Sequence, residues 1–504
     1  MKITTYKFVV LLSAMLLFNS SCDDNFAEIN TNPVVATSIA PGFQFTYTQL
    51  FTSGTRYENW RAALIYSSTM TQHIASLCGY WSGDKYSYNG AFSSSLFDRA
   101  YTGQVKEVQD LINTLEKGEE GDQTMLGMAR IWRVVIFHRL TDLYGDIPYF
   151  EAGKGAITGI DFPKYDTQQS IYADMLNELE QGVGQLSTGG FGSADLLYGG
   201  DVDKWKKFGN SLMLRLAMRL TEVDASMAQT YVTKAIAGGI MTDNSDDAFI
   251  EHVSGPSSGP AGLNSNGLGE VLDQANGFGE GCPRLSATFV NGLMANSDPR
   301  MDIIGTPGSG GHNGLPNGLD ATTILENSTG TTLAEFDQIN QMLVTVSSPM
   351  MFMTSAEAQL LAAEAAMRGW ASGDAASYYN QGVTNGMGQY KIFDASLDVD
   401  PAAVKAYLET NPFSMATGMA QIGWEYWVAT FLNEYETFAN LRRSGYPELT
   451  PINYTGNVTN GQIPKRLAYP SNEAGRESFE AAKTAQGLSD DFSTYLSAPV
   501  WWDN

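Results

Sequence analysis

Residues 80–89 read YWSGDKYSYN, which places four aromatic rings beside Asp84, Lys85 and Asn89 in an irregular, glycine-broken stretch. Sugar rings present apolar C–H faces that stack on flat aromatic rings. Their hydroxyls need amide, carboxylate or guanidinium partners beside those rings. Tyr80, Trp81, Asp84, Tyr86, Tyr88 and Asn89 are therefore candidate glycan contacts. The competing reading is that Trp81 and the tyrosines staple the loop to a scaffold, which would bury them. A second candidate surface is the glycine-rich stretch 305–320, where His312 and Asn313 supply polar groups.

Patterns that would mark an enzyme or a metal protein are missing or incomplete. His73, His138, His252 and His312 include no pair four residues apart, so no HExxH-type zinc site is spelled out. Residues 255–259 (GPSSG) fit G-x-S-x-G. A nucleophile elbow needs a helix after the serine, and residues 260–269 (PAGLNSNGLG) cannot supply one. The glycine-rich run 305–311 lacks the lysine of a P-loop. Asp243, Asn244, Asp246 and Asp247 carry calcium-type oxygens without the spacing or terminal Glu of an EF-hand. The expectation is a protein with no catalytic residues, no metal and no cofactor.

Composition narrows the partners. Thirty basic residues against 55 acidic ones give a formal charge of −25, which repels a phosphate backbone and excludes a nucleic-acid role. Three cysteines make no disulfide scaffold, and the sequence leaves open whether Cys78 and Cys282 pair. Fifty-one glycines imply long connections between the elements.

The elements that must position these groups are mainly helical. Residues 98–117 carry Val105, Val108, Leu111, Ile112 and Leu115 at spacings of three and four, a one-sided apolar stripe. Residues 123–144 are apolar on most faces, as a central helix is, and Gly145 and Pro148 end the run. Further helices are predicted at 168–186, 203–222, 225–237, 400–409 and 418–443, with Asp203 and Asp224 as N-caps. Residues 354–369 and 374–391 form an Ala-rich helix–turn–helix with Asp374 as a cap, in the manner of paired tetratricopeptide helices. Loop-rich insertions are expected at about 76–95 and 253–350.

The N-terminus reads as an address. Lys2 and Lys7 precede an 8–18 apolar run (FVVLLSAMLLF) too short to span a bilayer, and small residues lead to Cys22. This predicts a lipoprotein signal over 1–21, lipidation at Cys22 and a polar tether over 22–40. Asp23 and Asp24 resemble a surface-export signal of Bacteroidetes lipoproteins.

Six segments in order resemble the SusD/RagB family of outer-membrane nutrient-binding lipoproteins. They are 143–152 (LYGDIPYFEA), 163–171 (PKYDTQQSI), 205–224 (WKKFGNSLMLRLAMRLTEVD), 356–366 with 378–383 (AEAQLLAAEAA, YYNQGV), 424–447 ending FANLRRSGYP, and 466–473 (RLAYPSNE). The resemblance implies a mainly α fold: one domain over 41–504, with a tetratricopeptide-like helix-pair scaffold carrying an irregular, loop-rich ligand-binding part. It implies a non-enzymatic protein at the outer membrane, facing the exterior. Such a protein binds oligosaccharides, or in some branches peptides, and delivers them to a SusC-type TonB-dependent transporter. Arg215, Arg219, Arg442 and Arg443 lie in its motifs and are expected to make ion pairs or cap carbonyls between helices.

Overall fold

The Ala-rich segment after Met353 shows how this sequence builds its scaffold. Thr354 opens it with a capping box: its hydroxyl accepts from the Glu357 amide, and the Glu357 carboxylate accepts from the Thr354 amide. The small side chains that follow let the next helix approach closely. A Cβ on Gly382 would stand 2.7 Å from Leu360 Cγ, so that crossing needs glycine. Gly369, at φ +75°, turns the chain between the two helices.

The computed structural model describes residues 39–118, 123–253, 259–277, 279–324 and 332–503. The signal segment, Cys22, most of the tether and Ser257 of the G-x-S-x-G match lie outside the described residues. In chain order the described helices of eight or more residues are α1 Pro41–Ser53, α2 Ser95–Thr102, α3 Gln104–Glu116, α4 Gln123–Tyr144, α5 Gln168–Gln185, α6 Val202–Met218 and α7 Ala225–Gly238. They continue with α8 Ala287–Ala295, α9 Ser355–Met367, α10 Ala375–Gly388, α11 Pro401–Thr410, α12 Gly418–Ala429, α13 Glu434–Ser444 and α14 Glu477–Ala485. A ten-residue π-helix, Asn59–Ser68, stands between α1 and α2. Helix α4 packs between α3 and α5, α6 lies against α7, and α9 against α10 and α12. Residues 41–504 form one compact unit.

Three of the expected boundaries move. The 98–117 stripe divides at Gly103, where any Cβ would collide with the Phe51 ring. The 418–443 run divides at residues 430–433, where Leu432 adopts φ +70°. The cap of α6 is Asp201, whose carboxylate accepts from the amides of Asp203 and Lys204; Asp224 and Asp374 do cap α7 and α10.

Among the described residues, four antiparallel two-stranded ladders tie the loops to this scaffold. The one that matters for the site pairs Ile74–Ser76 with Pro283–Leu285, in the register Ile74 opposite Leu285. Just beyond its ends Cys78 and Cys282 form a disulfide across 204 residues of chain.

Buried ion pairs lock the helices to one another. Arg215 on α6 meets Glu357 on α9 at 2.6 Å, and Arg219 meets Glu436 on α13 at 2.6 Å. Arg443 holds Glu364 at 2.7 Å, while Arg442 donates to the carbonyls of Asp142 and Lys465, both at 2.7 Å. Burial pushes Glu436 upward, but the two guanidiniums outweigh it and hold its carboxyl at about 2. These arginines serve the scaffold. His138, with Nδ1 against the Val134 carbonyl, is likewise a buried packing residue of α4.

Candidate functional site: an aromatic platform

The described residues expose a group of aromatic rings where the π-helix meets the loop after residue 76. The turn Arg56–Glu58 is opened by a capping box between Thr55 and Glu58, and the chain then enters the π-helix. A π-register is wider than an α-helix and recurs at functional sites. Here it presents Trp60 and Arg61 beside Tyr57 at the surface. Phe92 is added by a short helix, Gly90–Ser93, whose N-cap is Asn89. Tyr80 completes the group from the disulfide-bound loop.

The rings form a connected set. Trp60 lies 6.1 Å from Tyr80, edge to face, and 5.5 Å from Phe92. The Arg61 guanidinium sits 3.8 Å from the Tyr57 ring centre and 5.3 Å from those of Trp60 and Phe92. Arg56 also approaches Trp60, at 5.2 Å from its ring centre. Tyr80 is 44% exposed and Tyr57 37%, the latter with the Arg61 guanidinium over one face of its ring.

Glu280 organises the rear of the platform. Its carboxylate accepts from the Tyr80 hydroxyl at 2.8 Å and the Trp81 indole at 3.1 Å, and it pairs with Arg56 at 3.1 Å. Burial and the bond to Glu280 push the Tyr80 phenol up to about 12, so it stays a neutral donor. The Cys78–Cys282 disulfide joins the loops that carry Tyr80 and Glu280.

The structure divides the sequence candidates. Tyr80 lies on the platform; Tyr88 and Asn89 are half-buried next to it, Asn89 serving as the cap below Phe92. Trp81, Asp84 and Tyr86 are corrections: all three are buried and offer no face to a ligand. The ladder and the disulfide draw this loop inward. Trp81 enters the core and fixes Glu280, and Asp84 is spent on Lys85 at 2.9 Å and Asn317 at 2.6 Å. Tyr86 takes a left-handed turn whose carbonyl accepts from Val458. Of the two readings of Trp81, the loop staple is the one the structure shows.

His312 and Asn313 are not part of this platform. His312 Nδ1 meets the buried Asp337 at 2.6 Å and Nε2 meets Asp302 at 3.1 Å. Burial alone would lower the imidazole pKa, yet the two carboxylates outweigh it and raise it. Asn313 bonds Asp337 and the Glu335 carbonyl. Both residues hold their own loop together. In the acidic stretch after α7, Asp243 accepts from Ser245, Asp246 pairs with Lys207 at 2.8 Å and Asp247 accepts from the Ser355 amide, so each carboxylate is spent on protein.

Sequence reasoning passed over Tyr57, Trp60, Arg61 and Phe92. A signal was present: RYENWR at 56–61 sets two aromatics and two arginines within six residues, in a chain short of basic groups. A separate concavity of about 910 Å³ lies between the 148–165 loop and residues 473–481. Three of its polar groups are engaged with one another, Tyr165 with Glu473 and Glu473 with Arg476, and Lys106, Asp161 and Glu477 also line it. The aromatic group is favoured as the site because it sets the exposed Tyr57 and Tyr80 beside Trp60, Phe92 and Arg61.

Comparison with known proteins fits this picture. Residues 34–470 match a SusD-like family described as starch-binding and associating with the outer membrane, and the chain belongs to that family. A solved structure described as a chitin-binding protein is 32% identical, with a TM-score of 0.82, over 92% of this chain and all of the other. A Bacteroidetes SusD-like structure is 24% identical, with a TM-score of 0.79, over 92% of this chain and all of that one. A chitin-binding SusD homologue from Flavobacterium johnsoniae is 22% identical, with a TM-score of 0.73, over 92% of this chain and 98% of that one. The last two likenesses bear on fold alone. No curated protein matches the chain. The mainly helical architecture is thus the tetratricopeptide-like fold of SusD-like proteins. No helix among the described residues is long and apolar enough to cross a membrane.

Proposed function

We propose that this protein captures oligosaccharides on the Tyr57/Trp60/Tyr80/Phe92 platform at the cell surface and performs no reaction of its own. It is tethered to the outer membrane through acyl chains on Cys22 and delivers its ligand to a SusC-type TonB-dependent transporter. The observation that carries the reading is a set of partly exposed rings arranged around two guanidiniums, in a chain of the SusD-like family. Exposed aromatic faces with hydrogen-bonding groups at their edges suit pyranose rings. The chitin-binding relative at 32% identity supports a glycan as the ligand class. Several acyl chains would hold the protein far better than one.

Calorimetric titration with neutral and amino-sugar hexasaccharides tests the ligand class. Trp60→Ala should weaken binding about tenfold, equivalent to ~1.4 kcal/mol, with the fold intact. Unchanged affinity in that variant removes the platform. Cys22→Ala should release the protein from membranes, and gentle detergent extraction should recover it with a large β-barrel; repeated recovery of the lipoprotein alone speaks against the transporter.

A further inference from the structure

We propose that the concavity of about 910 Å³ beside the 148–165 loop is a second binding site, one that takes a short cationic peptide. An apolar side chain of the peptide sits on the aromatic floor of the cleft, and a lysine or arginine next to it meets Asp161 and Glu477. The inference does not rest on the glycan reading of the platform.

The cleft is open to solvent and roomy. Its volume lies toward the top of the ~300–1000 Å³ range of sites that enclose a small ligand. Phe97 and Tyr101 on α2, 4.6 Å apart, and Tyr165 on its short strand line it with rings. Both tyrosine hydroxyls are committed: Tyr101 donates to the Pro148 carbonyl at 2.6 Å and Tyr165 to Glu473 at 3.0 Å. Ile160 and Phe162 also line the cleft and are exposed, Phe162 by 75%. The Arg476 guanidinium stands 5.6 Å from the Phe162 ring centre. Exposed apolar side chains gathered at an open cleft mark a place where a ligand is received.

Charge and backbone point to the occupant. Each cation lining the cleft has a carboxylate of its own, Arg476 with Glu473 at 2.7 Å and Lys106 with Glu107 at 3.8 Å. Asp161 and Glu477 are exposed, and their carboxylates pair with no group among the described residues. Two carboxylates are thus left over, in a chain of charge −25, and they favour a cation. The amides and carbonyls of Ile160, Asp161 and Phe162 likewise bond to no protein group among the described residues. A peptide brings all three complements at once: an apolar side chain, a positive charge, and a backbone that donates and accepts. A neutral sugar brings no positive charge, and Ile160 gives it no flat face to stack on.

Calorimetric titration of the full mature chain in detergent with four probes decides the matter: acetyl-Lys-Phe-Lys-Leu-amide, acetyl-Glu-Phe-Glu-Leu-amide, acetyl-Lys-Gly-Lys-Gly-amide and cellohexaose. The first should bind at least tenfold tighter than either other peptide, and its affinity should fall at high salt as the ion pairs are screened. Asp161→Asn combined with Glu477→Gln should weaken it about tenfold, and so should Phe162→Ala. All three residues are exposed, so these variants should fold as the wild type does. Trp60→Ala should leave peptide affinity unchanged, which separates the cleft from the platform. Equal affinity for the Lys-Phe and Lys-Gly peptides reduces the attraction to charge alone and overturns the site. Equal affinity for the Lys-Phe and Glu-Phe peptides overturns the role of the two carboxylates. Peptide binding lost in Trp60→Ala but kept in the double variant overturns the cleft in favour of the platform. Cellohexaose binding that is lost in Phe162→Ala makes the cleft a sugar site instead. Failure of the first peptide to bind overturns the proposal and leaves sugar binding by the platform standing.

Discussion

Replacing Trp81 by alanine separates what holds the platform from what would touch a ligand. Trp81 is fully buried, and its indole donates to Glu280 at 3.1 Å. Truncating a buried tryptophan costs about 3–5 kcal/mol through lost transfer energy and the cavity left behind. Unfolding entropy of ~2.1 cal/mol/K per residue over roughly 460 residues of the folded unit comes to ~1 kcal/mol/K. The loss should therefore appear as a fall in Tm of only about 3–5 °C, and a denaturant titration will resolve it better than a melting curve. Trp60→Ala is the matched control: Trp60 is only half-buried and its N–H has no partner, so melting should move by about 1 °C or less while glycan affinity falls about tenfold. Both variants should be measured by calorimetric scan, urea titration and sugar titration on one preparation. A Trp81→Ala protein as stable as the wild type, or a Trp60→Ala protein that loses stability and keeps its affinity, would refute the division of roles.

Three further outcomes follow from the geometry. Burial pushes Asp247 up to about 7, so the native state holds a proton that the unfolded chain releases near ~3.9; stability contributed there falls as pH rises from about 4 to 7. Asp247→Asn should therefore gain about 2–4 kcal/mol relative to wild type at pH 8 over its difference at pH 4, by urea titration at the two pH values. Reducing the Cys78–Cys282 disulfide, or Cys78→Ser, releases a loop closed over 204 residues and should cost about 3–5 kcal/mol. It should also weaken sugar binding, because Tyr80 and Glu280 lose their shared anchor; binding that survives reduction unchanged would show that the loops hold without it. Glu364→Leu leaves Arg443 buried and unpaired and should destabilise by about 3–5 kcal/mol, read as a lower urea midpoint without loss of glycan affinity in the protein that remains folded.

Much of the scaffold was legible because helices are written locally. The stripe around Val105 to Leu115, the all-round apolar 123–144 segment, Gly145, Asp224 and Asp374 each act within a few residues of themselves, and each did what its spacing implied. The breaks at Gly103 and Leu432 were not legible. The first depends on Phe51, a contact no window of twenty residues contains, and the second on a left-handed conformation at a leucine, a residue type that gives no sign of it. The roles of Arg215, Arg219, Arg442 and Arg443 could be anticipated, but their partners Glu357, Glu436 and Glu364 could not.

The candidate site shows the same division more sharply. The sequence by itself determined that an aromatic, polar, irregular segment lies at 80–89, and that the chain is too acidic to court a polyanion. It could not determine which rings face outward. An irregular loop has no period, so burial is not encoded in its spacing. That was decided by the pairing of Ile74 with Leu285 and by the disulfide to Cys282, 204 residues away, which turned Trp81, Asp84 and Tyr86 inward and left Tyr80 at the surface. The same tertiary step brought Trp60 and Arg61 from one end of a π-helix against Tyr80 and Phe92, and set Glu280 behind them. Composition could supply aromatic and polar side chains; only long-range pairing could assemble Tyr57, Trp60, Tyr80 and Phe92 in one connected group.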